Sequence, residues 1–334
     1  MATDPVAPVT PGAIDRWQRR RRWPGFVVGV GRKYLEDGAA RDGARVAYYA
    51  FFSVFPLMLA FVSILGFVLE DRPELRQDIL DSTYAEMPVL GPFIRSDIES
   101  IGGSGVGLAV GIAVAVWAGL GVTVAFGQAL DRIWGVAPFE QPGWLARRLH
   151  GLAVLMAGGG CIVASSMLAG TAATGNLGPW GASVASTLGS VIVDVIVLVA
   201  AFRVLTAARP PLRELLPGAV VAALGLLVLQ ALGAAYVEAT TSRAADTYGL
   251  FATVIGLLSW LSIAAQLVLV SAEVNAVRAG RLWPRSLSGA STPADRVALE
   301  QYARAAVHDP RETITVSWPP DEGPVAAPPT DDDA

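Results

Sequence analysis

The chain is poor in charge, in histidine and in cysteine. Only 16% of its 334 residues are Asp, Glu, Lys or Arg, against about 25% in an ordinary soluble domain. A soluble chain of this length needs a more polar surface to cover one or two cores. The single cysteine, Cys161, lies in an apolar stretch. That excludes an intramolecular disulfide and a multi-cysteine metal cage. Two histidines, His150 and His308, are too few for a multi-histidine hydrolytic centre. Basic excess is missing as well: the net charge is −4 and the pI near 5.3, which is no footprint for bulk nucleic-acid binding. The first apolar run, Pro24–Gly31, is too short for a convincing export signal and is followed by Arg32 and Lys33. Hydrophobic residues are plentiful, at 53% with a mean hydropathy of +0.49, so a disordered chain is excluded too. A membrane protein is the class that remains.

Uncharged stretches predict where the chain crosses. Val46–Leu69 runs 24 residues, Ile101–Leu130 runs 30, and Leu149–Val193 runs 45. The last would be about 67 Å long as one helix, roughly twice the hydrocarbon thickness. It must therefore break, and Thr174, Gly175, Asn176, Gly178, Pro179 and Gly181 supply the turn formers. The predicted fold class is all-α, a polytopic integral membrane protein with six transmembrane helices. Their spans are about 46–69, 105–130, 151–173, 182–205, 217–237 and 250–277. A basic arm with an interfacial helix occupies 1–45, an external loop 70–100, and an acidic, Pro-rich, mostly disordered tail 286–334. A short helix is expected within that tail, over Asp295–Val307.

Orientation follows from Lys and Arg in the connections. Eighteen lie before the first span, in the second and fourth loops, or just after the sixth span. Four lie in the alternate loops. Both termini are therefore expected in the cytoplasm, as an even number of spans requires. The arginine run 19–22 is explained by this topology signal and by attraction to anionic lipid. Loop 70–100 carries eight acidic and three basic residues and reads as a solvated loop. Trp23, Trp134, Trp144, Trp180 and Trp283 fall near predicted interfaces. Trp117 and Trp260 fall inside spans and are expected to pack between helices.

Gly107, Gly111, Ala115, Gly119, Thr123 and Gly127 recur every four residues in the second span. Such a ridge of small residues lets helix backbones approach closely in lipid, so it reads as a packing seam. The informative polar residue is Asp194, flanked by Val191–Val193 and Val195–Val197. An intramembrane aspartate costs about 2.5–3.5 kcal/mol on insertion scales. Its apolar neighbours, at about −0.3 to −0.6 kcal/mol each, can offset that. Arg203 is about 13 Å away along the axis and cannot pair with it directly. Asp194 must be neutral, hydrated in a cavity or hydrogen-bonded. Two readings stay open: a proton or cation step on a transport path, or a carboxyl tying two helices together. The topology places Tyr48, Tyr49, Gln128, Asp131, Glu273 and Asn275 at one depth near the cytoplasmic face, with Gln266 deeper. These residues are candidates for an inner vestibule.

Several segments together resemble the YihY/BrkB membrane-protein family. Arg45–Leu57, with Tyr48, Tyr49 and Pro56, is similar to its opening signature. Ala129–Val136 is similar to another family segment, with Asp131 where the family often has Asn. Leu216–Ala219, Tyr248-Gly249 with Trp260, and Ala272–Ala276 follow in the expected order. The resemblance covers about residues 25–285. It implies a six-helix protein of the bacterial cytoplasmic membrane, with transport often suggested and no settled activity. A ribonuclease label circulates for the family, and the scarcity of histidine here argues against it. The expectation is therefore a transporter or exporter of an unidentified solute or lipid. The alternative is a non-transporting scaffold that organises membrane or envelope partners. No enzymatic activity, cofactor, metal or nucleic-acid partner is expected, and membrane lipids are the expected surroundings.

Overall fold

A computed structural model describes residues 12–68, 105–173, 179–287 and 291–317. Within these, the backbone alone is described at 58–68, 105–108, 161–173, 179–183, 234–253 and some isolated positions. The predicted external loop 70–100, the turn at 174–178 and the end of the tail, 318–334, lie outside the described residues. Among the described residues all regular structure is helical, without strand. Two helices, α1 (Ala13–Arg19) and α2 (Arg22–Glu36), precede the first long one, α3 (Ala39–Val68). Then come α4 (Gly105–Ile133), a 3-10 turn at Pro138–Glu140, α5 (Trp144–Ala173), α6 (Pro179–Leu205), α7 (Leu212–Ala279) and α8 (Pro293–Ala305).

Four stretches among the described residues are long and apolar enough to cross a membrane: Ala109–Ile133, Thr187–Leu205, Leu212–Gly233 and Val254–Ala279. Only 17–28% of each is buried inside the protein. Ile192, Ile196, Val228, Leu232 and Ile263 all face outward, each more than half exposed. Water would not tolerate so much contiguous apolar surface, but lipid would. Helices α3 and α5 are each 30 residues long, and the described side chains cover only part of each.

Two helices begin earlier than the uncharged runs suggest. α3 starts at Ala39 rather than 46, and α5 at Trp144 rather than 151. Both extensions carry arginines. A long guanidinium side chain can stay polar at its tip while its stem and backbone continue an apolar helix. The chain between the fifth and sixth predicted spans is helical as well. Backbone helix runs unbroken through 238–249, where no proline occurs and no glycine before Gly249.

α7 nevertheless doubles back. In a straight helix Gly218 and Asn275 would be about 85 Å apart. Instead, the Gly218 N–H donates to Asn275 Oδ1 at 2.7 Å. Gly225 lies against Leu267, and Gly233 against Trp260. As one number rises, the other falls by a similar step, which is the pattern of two antiparallel limbs. The direction of the chain therefore reverses between Gly233 and Trp260.

The main core gathers where α4, α6 and both limbs of α7 meet. It contains Leu130, Ile133, Phe202, Leu205, Leu215 and Leu269, with alanines between them. The small-residue ridge of α4 supplies the close approaches. Gly119 faces Leu155, Thr123 faces Gly151 on α5, and Gly127 faces Leu205 on α6. Gly107, at the start of the ridge, is outside the described side chains. α3 packs on α4 and α7, and α2 packs on α7. Gly38, at φ +68, makes the turn from α2 into α3, a backbone conformation that side-chain-bearing residues rarely adopt.

The segment after α7 is ordered by a polar clasp. Thr292 caps α8 in a reciprocal capping box with Asp295. Arg285, 2% exposed, donates through Nε to Asp295 Oδ1 at 2.7 Å and through Nη2 to Glu36 Oε2 at 2.8 Å. Tyr302 donates to the same Glu36 oxygen at 3.0 Å. Gln18 of α1 donates to the Arg285 carbonyl at 2.7 Å. Val30, Val277, Leu282 and Ala298 form the apolar floor beneath. The clasp thus joins elements before the first long helix to one after the last.

Candidate functional site

Three long helices leave a groove between them. α3, α4 and α5 enclose a cavity of about 500 Å³ lined by Arg45, Tyr49, Trp117, Gly121, Gln128 and Arg148 together with apolar α4 residues. Gln128 and Trp117 are eleven residues apart on α4, about 16 Å of helix rise. The groove thus runs along about half of the length needed to cross the hydrocarbon core. Gly121 permits its narrow side, because a Cβ there would meet Tyr49 Cδ1 at 2.9 Å.

The charge of this groove is one-sided. Arg45 donates to Gln128 Oε1, a neutral acceptor. The Arg148 guanidinium lies 4.3 Å from the centroid of Trp117 and 4.8 Å from that of Trp144. Both are cation–π distances. Its Nε is buried with no hydrogen-bond partner among the described residues. The neighbouring arginines differ: Arg132 pairs with Asp42, and Arg147 stands 3.4 Å from Asp131. Among the described residues no carboxylate pairs with Arg45 or Arg148. Trp117, expected to pack between helices, is 65% exposed under Arg148. Trp260 does pack, against Gly233.

A second polar group lies sealed between α2, α4 and α7. Lys33, 3% exposed, contacts Asp37 Oδ2, donates to the Ile133 carbonyl at 2.8 Å, and stands 3.4 Å from Glu273 Oε2. An ammonium has three donors on a compact head, and three oxygens surround this one. Glu273 is wholly buried, and neither carboxylate oxygen has a hydrogen bond among the described residues. Lys33 is the only lysine in the chain; every other basic residue is arginine. A lone lysine among 24 arginines is the sequence signal for this site, and charge alone does not distinguish it.

The predicted vestibule residues divide between these places. Gln128 and Tyr49 line the groove. Tyr48 is exposed, with its ring tilted against that of Phe52 at a centroid distance of 4.7 Å. Asp131 is fully buried and accepts from the Ala207 N–H at 2.8 Å and the Thr206 hydroxyl at 3.1 Å. Asn275 accepts from the Gly218 N–H and donates to the Leu215 carbonyl at 3.0 Å, pinning one limb of α7 to the other. Gln266 accepts from the Tyr34 hydroxyl at 3.0 Å. Asp194 is half-buried on α6 and has no hydrogen-bond or ionic partner among the described residues. It does not line the groove. The structure therefore does not gather the seven vestibule candidates into one chamber.

Outside the spans, burial raises the cost of ionising Glu36. The hydrogen bond from Arg32, the charge of Arg285 and the Tyr302 hydroxyl outweigh this and hold its carboxyl below the usual range. Burial likewise opposes the charge on Asp295. The Thr292 N–H, the Arg285 guanidinium and the Ser286 N–H overcome it and lower that carboxyl too. Tyr302 is pushed up, first by burial and then by the charges of Asp37 and Glu36, so it remains a donor. This end is a permanently ionised clasp at neutral pH. Among the described residues no cluster of three His, Cys, Asp or Glu side chains is placed to hold a metal ion.

The family described as virulence factor BrkB matches residues 30–294. The chain belongs to the BrkB family. No curated protein matches the chain, and no solved structure does either. The match begins in α2 and ends in the first turn of α8, so it takes in Lys33, Asp37, Glu273 and Arg285. Segments that resemble the family in sequence meet in the structure. Asp131 of one ties to the loop after α6, Gly218 of another is clamped by Asn275 of a third, and Glu273 reaches Lys33. Short, separated BrkB motifs thus become the polar contacts that fix helix against helix.

Proposed function

We propose that this BrkB family protein is a transporter or exporter of a solute or lipid in the bacterial cytoplasmic membrane. The proposed architecture has six crossings, formed by α3, α4, α5, α6 and the two limbs of α7. The clasp between α1–α2 and α8 supports an even number, because it brings the two ends of the bundle's chain to one side. The bias of Lys and Arg supports a cytoplasmic location for that side.

The observation that carries the reading is the groove itself. Polar and charged groups, Arg45, Gln128 and Arg148, line a cavity of about 500 Å³ along apolar helices. Arg45 and Arg148 sit just before the predicted spans of α3 and α5, and their side chains border the apolar wall of α4, so the groove offers polar groups beside an apolar surface. Gln128 and Tyr49 are the predicted path residues that remain in this reading. Asp194 is a second candidate, on α6 and outside the lining of the groove. No enzymatic role is assigned.

A non-transporting scaffold is the second reading. It is favoured by Asp131, Asn275 and Glu273, which are held in fixed interhelical contacts and do not line the groove. Liposomes reconstituted with the full chain separate the two. Counter-flow of a labelled lipid or solute that falls in Gln128→Ala or Asp194→Asn supports transport. Absence of flux across a substrate panel, with a stable protein partner retained after crosslinking, supports the scaffold.

A further inference from the structure

We propose that the groove between α3, α4 and α5 is a binding site for the headgroup of an anionic phospholipid. Arg45 and Arg148 would hold the phosphate, and the apolar wall of α4 would hold the acyl chain. This deepens the proposed function and rests on its reading of the groove as the path.

Three observations converge on this ligand. The first is charge. Two guanidinium groups border one cavity with no carboxylate paired to either among the described residues, whereas Arg132 and Arg147 beside them each have an acidic neighbour. Two cations at one cavity, at the ends of apolar spans and without a carboxylate partner among the described residues, attract an anion. The second is donor geometry. The Arg148 guanidinium lies over Trp117 and Trp144, and among the described residues no acceptor takes its N–H groups, the buried Nε included. A guanidinium fork matches phosphate oxygens in pairs. The third is the wall. Leu120, Val124 and Ala125 continue the cavity as apolar surface, and Trp117 is exposed at its edge. A free phosphate needs no such wall, but an acyl chain does. Basic pockets between membrane helices are the known physical form of such a lipid site.

The test uses the full chain purified in detergent, with equimolar phosphatidylglycerol and phosphatidylcholine of the same acyl chains. Native mass spectrometry counts each retained lipid. Two basic residues near a membrane surface favour an anionic lipid by about thirtyfold, so phosphatidylglycerol should dominate on the wild type to that order. The double variant Arg45→Gln with Arg148→Gln should bring the two lipids to near parity. Arg213→Gln, which removes an exposed charge outside the groove, should leave the preference intact. Ala118→Trp keeps both arginines and fills the cavity they border, so it should also remove the preference for phosphatidylglycerol. It provides the readout if the double variant does not fold. Equal retention of both lipids by the wild type overturns the proposal, as does an unchanged preference in both groove variants. Displacement of phosphatidylglycerol by millimolar inorganic phosphate would assign the site to a free anion and overturn the lipid. Lipid preference without flux in liposomes sinks transport and spares the site, and flux without lipid preference does the reverse.

Discussion

Removing the ammonium of Lys33 should cost far more than neutralising either of its acidic neighbours alone. Lys33 stands between Asp37 and Glu273, and the three side chains are 3%, 1% and 0% exposed. Lys33→Met leaves two carboxylates buried with no cation between them. Breaking a buried pair from one side costs about 3–5 kcal/mol, and here two acids lose one partner. Glu273→Gln should behave differently. Lys33 keeps its close contact with Asp37 and its 2.8 Å bond to the Ile133 carbonyl. The Glu273 carboxylate stands off at 3.4 Å with no hydrogen bond among the described residues, so its neutralisation should change stability by about 1 kcal/mol or less. Lys33→Arg should not rescue fully, because a planar fork does not reproduce three converging ammonium donors. The assay is equilibrium unfolding of the detergent-solubilised full chain in SDS, followed by far-UV circular dichroism. The triple variant Lys33→Met, Asp37→Asn and Glu273→Gln should recover most of the loss. If Glu273→Gln unfolds the protein as readily as Lys33→Met does, the ionic account of this cluster is wrong.

Three further outcomes are expected. Gly218→Val places a Cβ 2.1 Å from the Ser271 carbonyl oxygen and should force the limbs of α7 apart, costing at least about 1–3 kcal/mol in the same unfolding assay; a silent Gly218→Val would contradict the antiparallel contact. Asn275→Leu strands the Gly218 N–H and the Leu215 carbonyl, a loss of about 1–3 kcal/mol for each buried group left unmade, whereas Asn275→Asp keeps the acceptor for Gly218 and should lose less. The clasp should be acid-labile. Glu36 and Asp295 are held below the usual carboxylate range, so their stabilisation is fully present above that range and disappears as pH falls through their lowered values. Limited proteolysis should therefore release α8 in acid but not at neutral pH, and Arg285→Met should make it protease-sensitive at neutral pH.

Composition and periodicity alone established the class of this protein. Long uncharged runs and sparse charge require lipid, since the helices are apolar on nearly every face, and their four-residue glycine and alanine spacing in α4 requires close neighbours. Those are local properties, readable wherever they occur along the chain. The candidate site was only partly legible, because its residues are far apart in sequence and carry ambiguous identities. Arg45 and Arg148 look like topology signals until folding sets them on one cavity with no carboxylate partner among the described residues. Asp131 and Asn275 look like vestibule polar groups until the Ala207 and Gly218 N–H groups are found to take their lone pairs. Lys33 and Glu273 are 240 residues apart, and nothing local to either announces the other. A polar side chain can bind a ligand, face water or satisfy a buried backbone group. Which of these it does is fixed by what packs against it, and only the tertiary structure supplies that neighbour.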